Sequence, residues 1–217
     1  MTRDLFADAE QGGSSREALC PGAVVLRRFA LALEADLLAA IEDIAAAAPF
    51  RHMATPGGFR MSVAMTHCGG YGWVTDETGY RYAALDPVSN KPWPGMPAVF
   101  VKLARDAAAE AGFTNFTPDA CLVNRYEPGA RMSLHQDRNE RDLTQPIVSV
   151  SLGLPAVFLF GGLQRNGKPV RVLLLHGDVV VWGGPARLRY HGVLALKPGQ
   201  HALMGECRFN LTFRKAK

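Results

Sequence analysis

The segment Cys207-Arg-Phe-Asn-Leu-Thr-Phe-Arg214 alternates strictly between two kinds of side chain. Successive side chains of a strand point to opposite faces, so one face would be apolar and the other would carry Arg208, Asn210, Thr212 and Arg214. Two guanidinium groups on one face can bind a dicarboxylate in a bidentate manner. The alternative interpretation is a solvent-facing edge strand with two arginines.

Further short β-type runs, separated by turns, precede this segment from Asp119 onward. They cover residues 120–126, 131–136, 147–152, 156–160, 170–175 and 179–182. Strands at this spacing predict a sandwich or a jelly roll. Upstream, apolar residues at helical spacing over 31–48 and 97–111 predict two helices that cover a sheet. The predicted fold class is therefore α+β, mainly β.

Composition favours one soluble domain. The chain has 217 residues, 48% of them hydrophobic, which is enough for one sizeable core. We expect a single domain over residues 1–217, with residues 1–20, rich in polar residues, glycine and serine, as a flexible lead-in. The net charge of +4 gives a mild preference for anionic partners, nucleic acid among them.

Localisation is predicted from three features of the sequence. No apolar run reaches the length of a membrane span, and the N-terminus lacks the apolar region of a secretory signal. The four cysteines are scattered and form no C-x-x-C pair. We therefore expect a cytoplasmic protein with reduced thiols and no contact with a membrane.

A candidate metal site lies in Arg131-Met-Ser-Leu-His-Gln-Asp137, where His135 and Asp137 would point to the same face of a strand. His191 lies far enough downstream to return beside this pair in a jelly roll. Two imidazoles and one carboxylate suit non-haem Fe(II) that also binds a chelating co-substrate and O2. An H-x-D pair alone is usually a surface pair, and a histidine before Gly192 is usually a turn residue. Beside the arginine face of 207–214, however, the set indicates a 2-oxoglutarate oxygenase.

A second polar pair, Asn124 and Tyr126, shares one face of the run 120–126. Each side chain offers a neutral donor for a carboxylate oxygen. The alternative is that Tyr126 is a core aromatic residue with a satisfied hydroxyl group.

Several of these segments resemble one known family. They are Asn124-Arg-Tyr-Glu-Pro-Gly-Ala130, Leu134-His-Gln-Asp137, Val148-Ser-Val-Ser-Leu-Gly-Leu154, Gly177-Asp-Val-Val-Val-Trp-Gly-Gly184 and Cys207–Arg214. Together they are similar to the AlkB family of alkylated-nucleic-acid repair dioxygenases, and the similarity extends over nearly the whole chain. Motifs of this length are far more specific than H-x-D.

The resemblance implies a double-stranded β-helix (jelly-roll) core over 119–214, covering helices and a nucleotide-recognition lid over 50–97. It implies that His135, Asp137 and His191 bind Fe(II) as the catalytic set. Arg208, Asn124 and Tyr126 would hold the far carboxylate of 2-oxoglutarate, and Asn210 and Arg214 would complete that pocket. The implied reaction uses O2, converts 2-oxoglutarate to succinate and hydroxylates the N-methyl carbon of a damaged base, which then loses formaldehyde.

The lid residues fit an enzyme that takes a base out of the stack and holds it between flat or apolar side chains. By resemblance, Trp73 would stack on the flipped base opposite His135, and Arg165 would lie near the target. Further contacts to the base would come from Met65, Tyr80 and Tyr82. Phosphates could be met by Arg60, Arg81, Lys91, Arg131 and Lys168.

One position departs from the family pattern. Asn139 stands where the family has an acidic residue that would accept a hydrogen bond from the amino group of a methylated base. A neutral amide can still accept but lacks the charge. We therefore predict a reduced preference for the cationic lesions 1-methyladenine and 3-methylcytosine, unless Glu140 supplies the missing carboxylate.

Three alternatives stay open from the sequence. A cupin-type metal isomerase or hydrolase could share the fold and the histidines, but it would not need the paired arginines. A nucleic-acid-binding module could hold a structural metal. The same oxygenase chemistry could also act on RNA or on a protein side chain. We expect alkylated DNA, preferably single-stranded, as the partner, with RNA as a possible second substrate, and a monomer.

Overall fold

The computed structural model describes residues 15–217. Its two α-helices within that range are α1 (Glu34–Ala47) and α2 (Ala98–Glu110), and single turns of 3-10 helix lie at 31–33 and 184–186. The strands of the same range are β1 (Ser15–Cys20), β2 (Ala23–Arg27), β3 (Ala64–Gly69), β4 (Gly72–Asp76), β5 (Gly79–Ala83), β6 (Ala120–Tyr126), β7 (Met132–His135), β8 (Ile147–Gly153), β9 (Ala156–Phe160), β10 (Val170–Leu174), β11 (Val179–Trp182), β12 (His191–Val193) and β13 (Arg208–Arg214).

Between residues 15 and 217 the strands form two sheets and one separate hairpin. The large sheet has the order β1-β2-β11-β8-β13-β6-β3, and the small sheet has the order β10-β9-β12-β7. Strands β4 and β5 form the separate hairpin, which we call the lid hairpin. Neighbouring strands pair antiparallel throughout.

Strand β13 lies in the middle of the large sheet, between β8 and β6. Its alternating pattern therefore separates two buried environments. Leu211 and Phe213 pack on one side with α1 and α2. Arg208, Asn210 and Arg214 are also buried, on the opposite face. The interpretation of this segment as a solvent-facing edge strand is wrong.

Two apolar cores follow from this arrangement. The first lies between the large sheet and the helices, where Leu37, Ile41 and Ile44 of α1 pack on one stripe. The second lies between the two sheets, where Trp182 and Val180 of the large sheet meet Phe158 and Phe160 of the small one. The molecule is thus a double-stranded β-helix with helices outside the large sheet, and the predicted fold class is confirmed.

Most predicted elements agree with the structure to within one or two residues. The first helix begins with a 3-10 turn at 31–33, and α2 ends before Gly112, which adopts φ +93°. Strand β12 was not predicted, because a run of three residues centred on Gly192 carries no alternating pattern. Strand β2 was also not predicted, and its Ala23, Val25 and Leu26 are buried.

The expected lead-in over residues 1–20 is wrong for its last six residues, and residues 1–14 lie outside the described part of the chain. Ser15–Cys20 form β1 at the edge of the large sheet, paired with β2. Most side chains of β1 are exposed, so its composition resembles that of a loop. Backbone pairing with β2 and the hydrogen bond from Arg27 Nε to Glu17 Oε2 (3.0 Å) order the segment.

The segment predicted as a lid, 50–97, is divided between two structures. Strand β3 belongs to the large sheet and pairs with β6, so that part of the segment is scaffold. The lid hairpin is attached at its base by the hydrogen bond from Trp93 Nε1 to the Ala83 carbonyl (2.9 Å). In residues 15–217, we find no helix with the length and apolar character needed to cross a bilayer.

The packing of α2 on the large sheet gives a stability prediction. Phe100 is fully buried and meets Phe213 edge to face, with ring centroids 5.7 Å apart. Phe100→Ala should lower the free energy of unfolding by about 3–5 kcal/mol, because it leaves a cavity under the helix. Urea unfolding measures this loss. Lys102→Ala on the exposed face of α2 is the control and should change stability by less than about 0.5 kcal/mol. A loss for Phe100→Ala no larger than the control's would contradict the assigned packing.

Candidate active site

The predicted metal ligands come together at one end of the small sheet. His191 of β12 lies directly opposite His135 of β7 in the strand register, and Asp137 follows two residues after His135. One ligand atom from each of the three residues lies within 4.8 Å of the others. Gly192 allows this close approach, since a Cβ there would lie 2.7 Å from the Met132 carbonyl oxygen.

Each histidine ring is oriented by its own strand. His135 Nδ1 lies 2.8 Å from the Ser133 carbonyl oxygen, and His191 Nδ1 lies 3.1 Å from the Arg189 carbonyl oxygen. A carbonyl only accepts, so both Nδ1 atoms carry a proton, which leaves the Nε2 atoms as the ring atoms that can bind a metal. The Nε2 atoms face Asp137, at 3.9 Å for His135 and 3.6 Å for His191. This is the tautomer that metal-binding histidines use.

The protonation states also suit a cation. Burial, together with the neighbouring His191, lowers the pKa of His135 to about 4, so its ring is neutral. Burial alone would raise the pKa of Asp137, but Arg214 and the two histidines hold it well below its usual range. Neutral imidazoles and an ionised carboxylate are the forms that bind metal. The donor set therefore fits Fe(II).

Two buried arginines hold Asp137 in place. Arg214 donates from Nε (2.9 Å) and Nη2 (2.7 Å) to Asp137 Oδ2. Arg187 donates from Nη1 to the Asp137 carbonyl oxygen (2.7 Å) and from Nε to the Gln145 carbonyl oxygen (2.9 Å). Sequence reasoning missed Arg187, because a single arginine after the turn at 184–186 belongs to no periodic pattern.

The predicted 2-oxoglutarate residues face one another across β13 and β6. Arg208 is the register partner of Tyr126, and Asn210 is the register partner of Asn124. Arg208 donates from Nη2 to Ser151 Oγ (2.9 Å), and Asn124 donates to Asn210 Oδ1 (3.3 Å). Within residues 15–217, Arg208 Nε and Nη1 and Asn124 Oδ1 are buried without a hydrogen-bond partner.

A buried guanidinium with two unpaired donors needs an anionic partner. Arg208 is 1% exposed, and burial lowers its pKa to about 10, which still leaves it charged. A carboxylate would offset the charge and accept a hydrogen bond from an unpaired donor. The pocket therefore fits the far carboxylate of 2-oxoglutarate. The predicted role of Arg214 in the same pocket remains a prediction, since its guanidinium pairs with Asp137.

The lid hairpin presents its aromatic residues beside the metal ligands. Trp73 donates from Nε1 to Asn139 Oδ1 over 3.5 Å, so the hairpin contacts the segment that follows Asp137. Tyr80 is 48% exposed and stacks on Trp73, with centroids 5.6 Å apart and planes 19° apart. Tyr82 donates its hydroxyl proton to Glu140 Oε1 at 2.6 Å.

Other predicted substrate residues lie in different environments. Met65 is fully buried in the core between the sheets. Arg165 is exposed in the turn between β9 and β10. At the start of that turn, the backbone N–H of Gly161 donates a hydrogen bond to the Tyr190 carbonyl oxygen (2.7 Å). Arg81, an expected phosphate contact, donates to both carboxylate oxygens of Asp76 at 2.8 and 2.7 Å. Its guanidinium group is therefore already paired within the hairpin.

Glu140 does not replace the missing acidic residue at position 139. Its side chain is 2% exposed and lies between Arg187 Nη2 (3.1 Å) and Arg214 Nε (3.5 Å). With the Tyr82 hydroxyl on Oε1 as well, its carboxylate is not available to a base. The expectation that Glu140 could supply that carboxylate is wrong.

Comparison with known families decides the class of the site. The family model described as the 2OG-Fe(II) oxygenase superfamily matches residues 22–214. The chain belongs to the 2OG-Fe(II) oxygenase superfamily. The matched residues include strands of both sheets, and with them the three candidate metal ligands and the pocket around Arg208. The cupin-type hydrolase and the non-enzymatic binding module are thereby set aside.

Individual oxygenases of this superfamily are similar over most of the chain. The α-ketoglutarate-dependent dioxygenase AlkB of Escherichia coli is 59% identical over 213 residues, which is 98% of this chain and 97% of that protein. The tRNA demethylase abh1 of Schizosaccharomyces pombe is 33% identical over 127 residues, 58% of this chain and 42% of that protein. The solved structure of OsALKBH1 superimposes with a TM-score of 0.82 at 29% identity, covering 93% of this chain and 100% of that chain.

The protein is thus an Fe(II)- and 2-oxoglutarate-dependent dioxygenase. When bound, Fe(II), 2-oxoglutarate and O2 supply the oxidising chemistry of this superfamily. Among the described residues, His135, Asp137 and His191 are a group that could hold the metal. The unpaired polar atoms of Arg208 on β13 and Asn124 on β6 could receive the co-substrate.

The unpaired donors of Arg208 predict a strong effect on co-substrate binding. Arg208→Met removes the charge but keeps most of the apolar stem, and 2-oxoglutarate should bind about 100-fold more weakly. Anaerobic titration calorimetry with the Fe(II) protein measures this change. Arg125→Met is the matched control, since Arg125 is the register partner of Phe209 and pairs with Glu127 at 3.3 Å. Equal affinities of the two variants would exclude Arg208 as the carboxylate ligand.

Proposed function

We propose that this oxygenase removes alkyl groups oxidatively from nucleobases in DNA, with 1-methyladenine and 3-methylcytosine as typical lesions. The observation that carries the proposal is the contact of Trp73 with Asn139, which brings an aromatic surface of the lid hairpin beside the segment of the metal ligands. The similarity to E. coli AlkB over nearly the whole chain supports the same activity.

A flipped base requires a flat partner and a dry site. Trp73 and Tyr80 supply adjoining aromatic faces, and each stacked base is worth about 1–3 kcal/mol. Hydroxylation of the N-alkyl carbon followed by loss of an aldehyde needs no protein acid or base in the second step. The role of the lid is therefore to hold the alkyl carbon over the metal site and to exclude water.

We also propose that the protein prefers single-stranded DNA and works as a monomer in the cytoplasm. A base that is already unpaired costs less to extrude, which favours single strands. The four cysteines are free, and Cys68 and Cys121 are buried opposite each other without a disulfide, which is typical of a reducing compartment. The net charge of +4 supports binding to a polyanion.

Anaerobic reconstitution tests the proposal. The protein is loaded with Fe(II) and 2-oxoglutarate, mixed with 1-methyladenine in single-stranded DNA, and exposed to air. Succinate, formaldehyde and restored adenine should form together, and His135→Ala should abolish all three. His201→Ala, which changes a histidine outside the site, should retain activity. Succinate without restored base would refute demethylation of DNA.

The same assay with matched oligonucleotides separates the substrates. Single-stranded DNA should react faster than double-stranded DNA and faster than RNA of the same sequence. Faster turnover of RNA would make RNA the preferred substrate, and the relative from S. pombe is named a tRNA demethylase.

Asn139 should determine how strongly cationic lesions are preferred. It is exposed and neutral beside Trp73, so it offers no charge to a cationic base. In Asn139→Asp, the ratio of kcat/KM for 3-methylcytosine to that for neutral 3-methylthymine should rise about tenfold, since a charged acceptor binds more strongly than a neutral one. Asn115→Asp adds the same charge on an exposed loop before β6 and should leave the ratio unchanged. Unchanged ratios in both variants would remove Asn139 as a specificity residue.

A further inference from the structure

The lid hairpin contacts the ligand-bearing segment at two adjacent residues. Trp73 and Tyr82 are direct partners across the hairpin. Trp73 donates to Asn139 over 3.5 Å, and Tyr82 donates to Glu140 at 2.6 Å. The two acceptors lie two and three residues after Asp137, so the hairpin is attached to the segment that carries His135 and Asp137.

The contact with Glu140 is the stronger of the two. Glu140 is a buried carboxylate, which needs several donors to offset its desolvation. Its Oε1 receives the Tyr82 hydroxyl and lies 3.5 Å from Arg214 Nε. Burial, with carboxylates nearby, raises the pKa of Tyr82 well above its usual value, so this hydroxyl keeps its proton and remains a donor.

The same arginines that hold Glu140 also hold Asp137. Arg187 spans the Glu140 carboxylate (3.1 Å) and the Asp137 carbonyl (2.7 Å), and Arg214 binds Asp137 Oδ2 at 2.7 Å. The path from the lid hydroxyl to Asp137 thus consists of one hydrogen bond to Glu140 and of ion pairs between Glu140 and the two arginines that bind Asp137. Glu140 Oε2 has no hydrogen-bond partner among the described residues, so its contact with Arg187 is an ion pair only.

Val74 of β4 is buried in the core between the sheets and holds one side of the hairpin. The aromatic side needs its own attachment, because a two-stranded hairpin is marginally stable in water. Its base is attached through Trp93 and Ala83. Its aromatic face is attached to residues 137–140 by two side-chain hydrogen bonds between described residues. One joins Trp73 to Asn139, and the other joins Tyr82 to Glu140.

We infer that the Tyr82–Glu140 hydrogen bond anchors the lid hairpin to the metal-ligand segment, which makes Tyr82 and Glu140 positioning residues that set the place of Trp73 over the site. This differs from the expected role of Tyr82 as a surface for the base. The inference rests on the proposed function in one respect, that the ligand under Trp73 is a nucleobase. The anchor itself is independent of the substrate.

Tyr82→Phe tests the anchor, because it keeps the ring and removes only the hydroxyl. In the protein without substrate, amides of residues 74–82 should exchange with deuterium about tenfold faster, whereas β13 should not change. With methylated DNA, KM should rise about tenfold while kcat stays within about twofold, because the loosened lid must be ordered when the base binds, and this cost weakens the binding of substrate and transition state equally. The affinity for 2-oxoglutarate should remain that of the wild type.

Two further variants separate an anchor from a general loss of stability. Tyr71→Phe removes a hydroxyl just before β4 and should change neither exchange nor KM. Glu140→Gln keeps an acceptor oxygen for Tyr82 but removes the charge that faces Arg187 and Arg214. Glu140→Gln should therefore also lower the free energy of unfolding, whereas Tyr82→Phe should not lower it as much. In the double variant the KM increase should be smaller than the product of the two single increases, since both changes weaken the Tyr82–Glu140 contact.

If the amides of residues 74–82 exchange at the wild-type rate in Tyr82→Phe, the hydrogen bond is not an anchor, whatever the substrate is. Faster exchange with no change in KM would overturn the positioning role of Tyr82. If the wild-type protein fails to demethylate DNA, the proposed function fails, but the exchange experiment still decides the anchor.

Discussion

Burial of a single carboxylate or guanidinium group in a protein costs several kcal/mol, and removal of one member of a buried pair costs about 3–5 kcal/mol. Arg214 is buried, only 11% of the Asp137 side chain is exposed, and the two side chains pair at 2.7 Å between the two sheets. Glu140 and Arg187 extend this pair into a cluster of two carboxylates and two guanidinium groups. The ligand carboxylate is therefore ionised and oriented by the scaffold, and the site depends on the integrity of this cluster.

The position of β13 makes the cluster possible. A central strand contributes one face to the helix-covered core and the other face to the space between the sheets. Leu211 and Phe213 fix the strand from the apolar side, so that Arg208 and Arg214 are fixed on the polar side. A shift of register by one residue would exchange the two faces and would bury the arginines against Phe100. The helix-covered core and the polar site thus rely on the same seven residues of β13.

The sequence predicted the parts of the molecule that repeat or alternate. The period of two in β13 predicted one apolar face and one polar face, and the spacing of His135 and Asp137 predicted a shared metal. The helices followed from the stripe of Leu37, Ile41 and Ile44. Each of these signals arises from local geometry, which a single segment already contains.

The parts that could not be predicted depend on contacts between distant segments. Arg187 acts through a backbone carbonyl 50 residues earlier in the chain. Glu140 looks like a surface acid in the sequence, yet it is buried because Arg187, Arg214 and Tyr82 come from three other elements. Strand β1 has the composition of a loop, and only its pairing with β2 makes it a strand.

The Nδ1 atom of each site histidine donates a hydrogen bond to the carbonyl oxygen two residues earlier, which limits how such a site changes during evolution. Ring orientation is encoded within the three-residue segments 133–135 and 189–191. Side chains around the site can therefore be exchanged without turning the imidazoles. Asn139 occupies such a neighbouring position, so the lesions that are accepted can diverge while the oxidising centre is inherited unchanged.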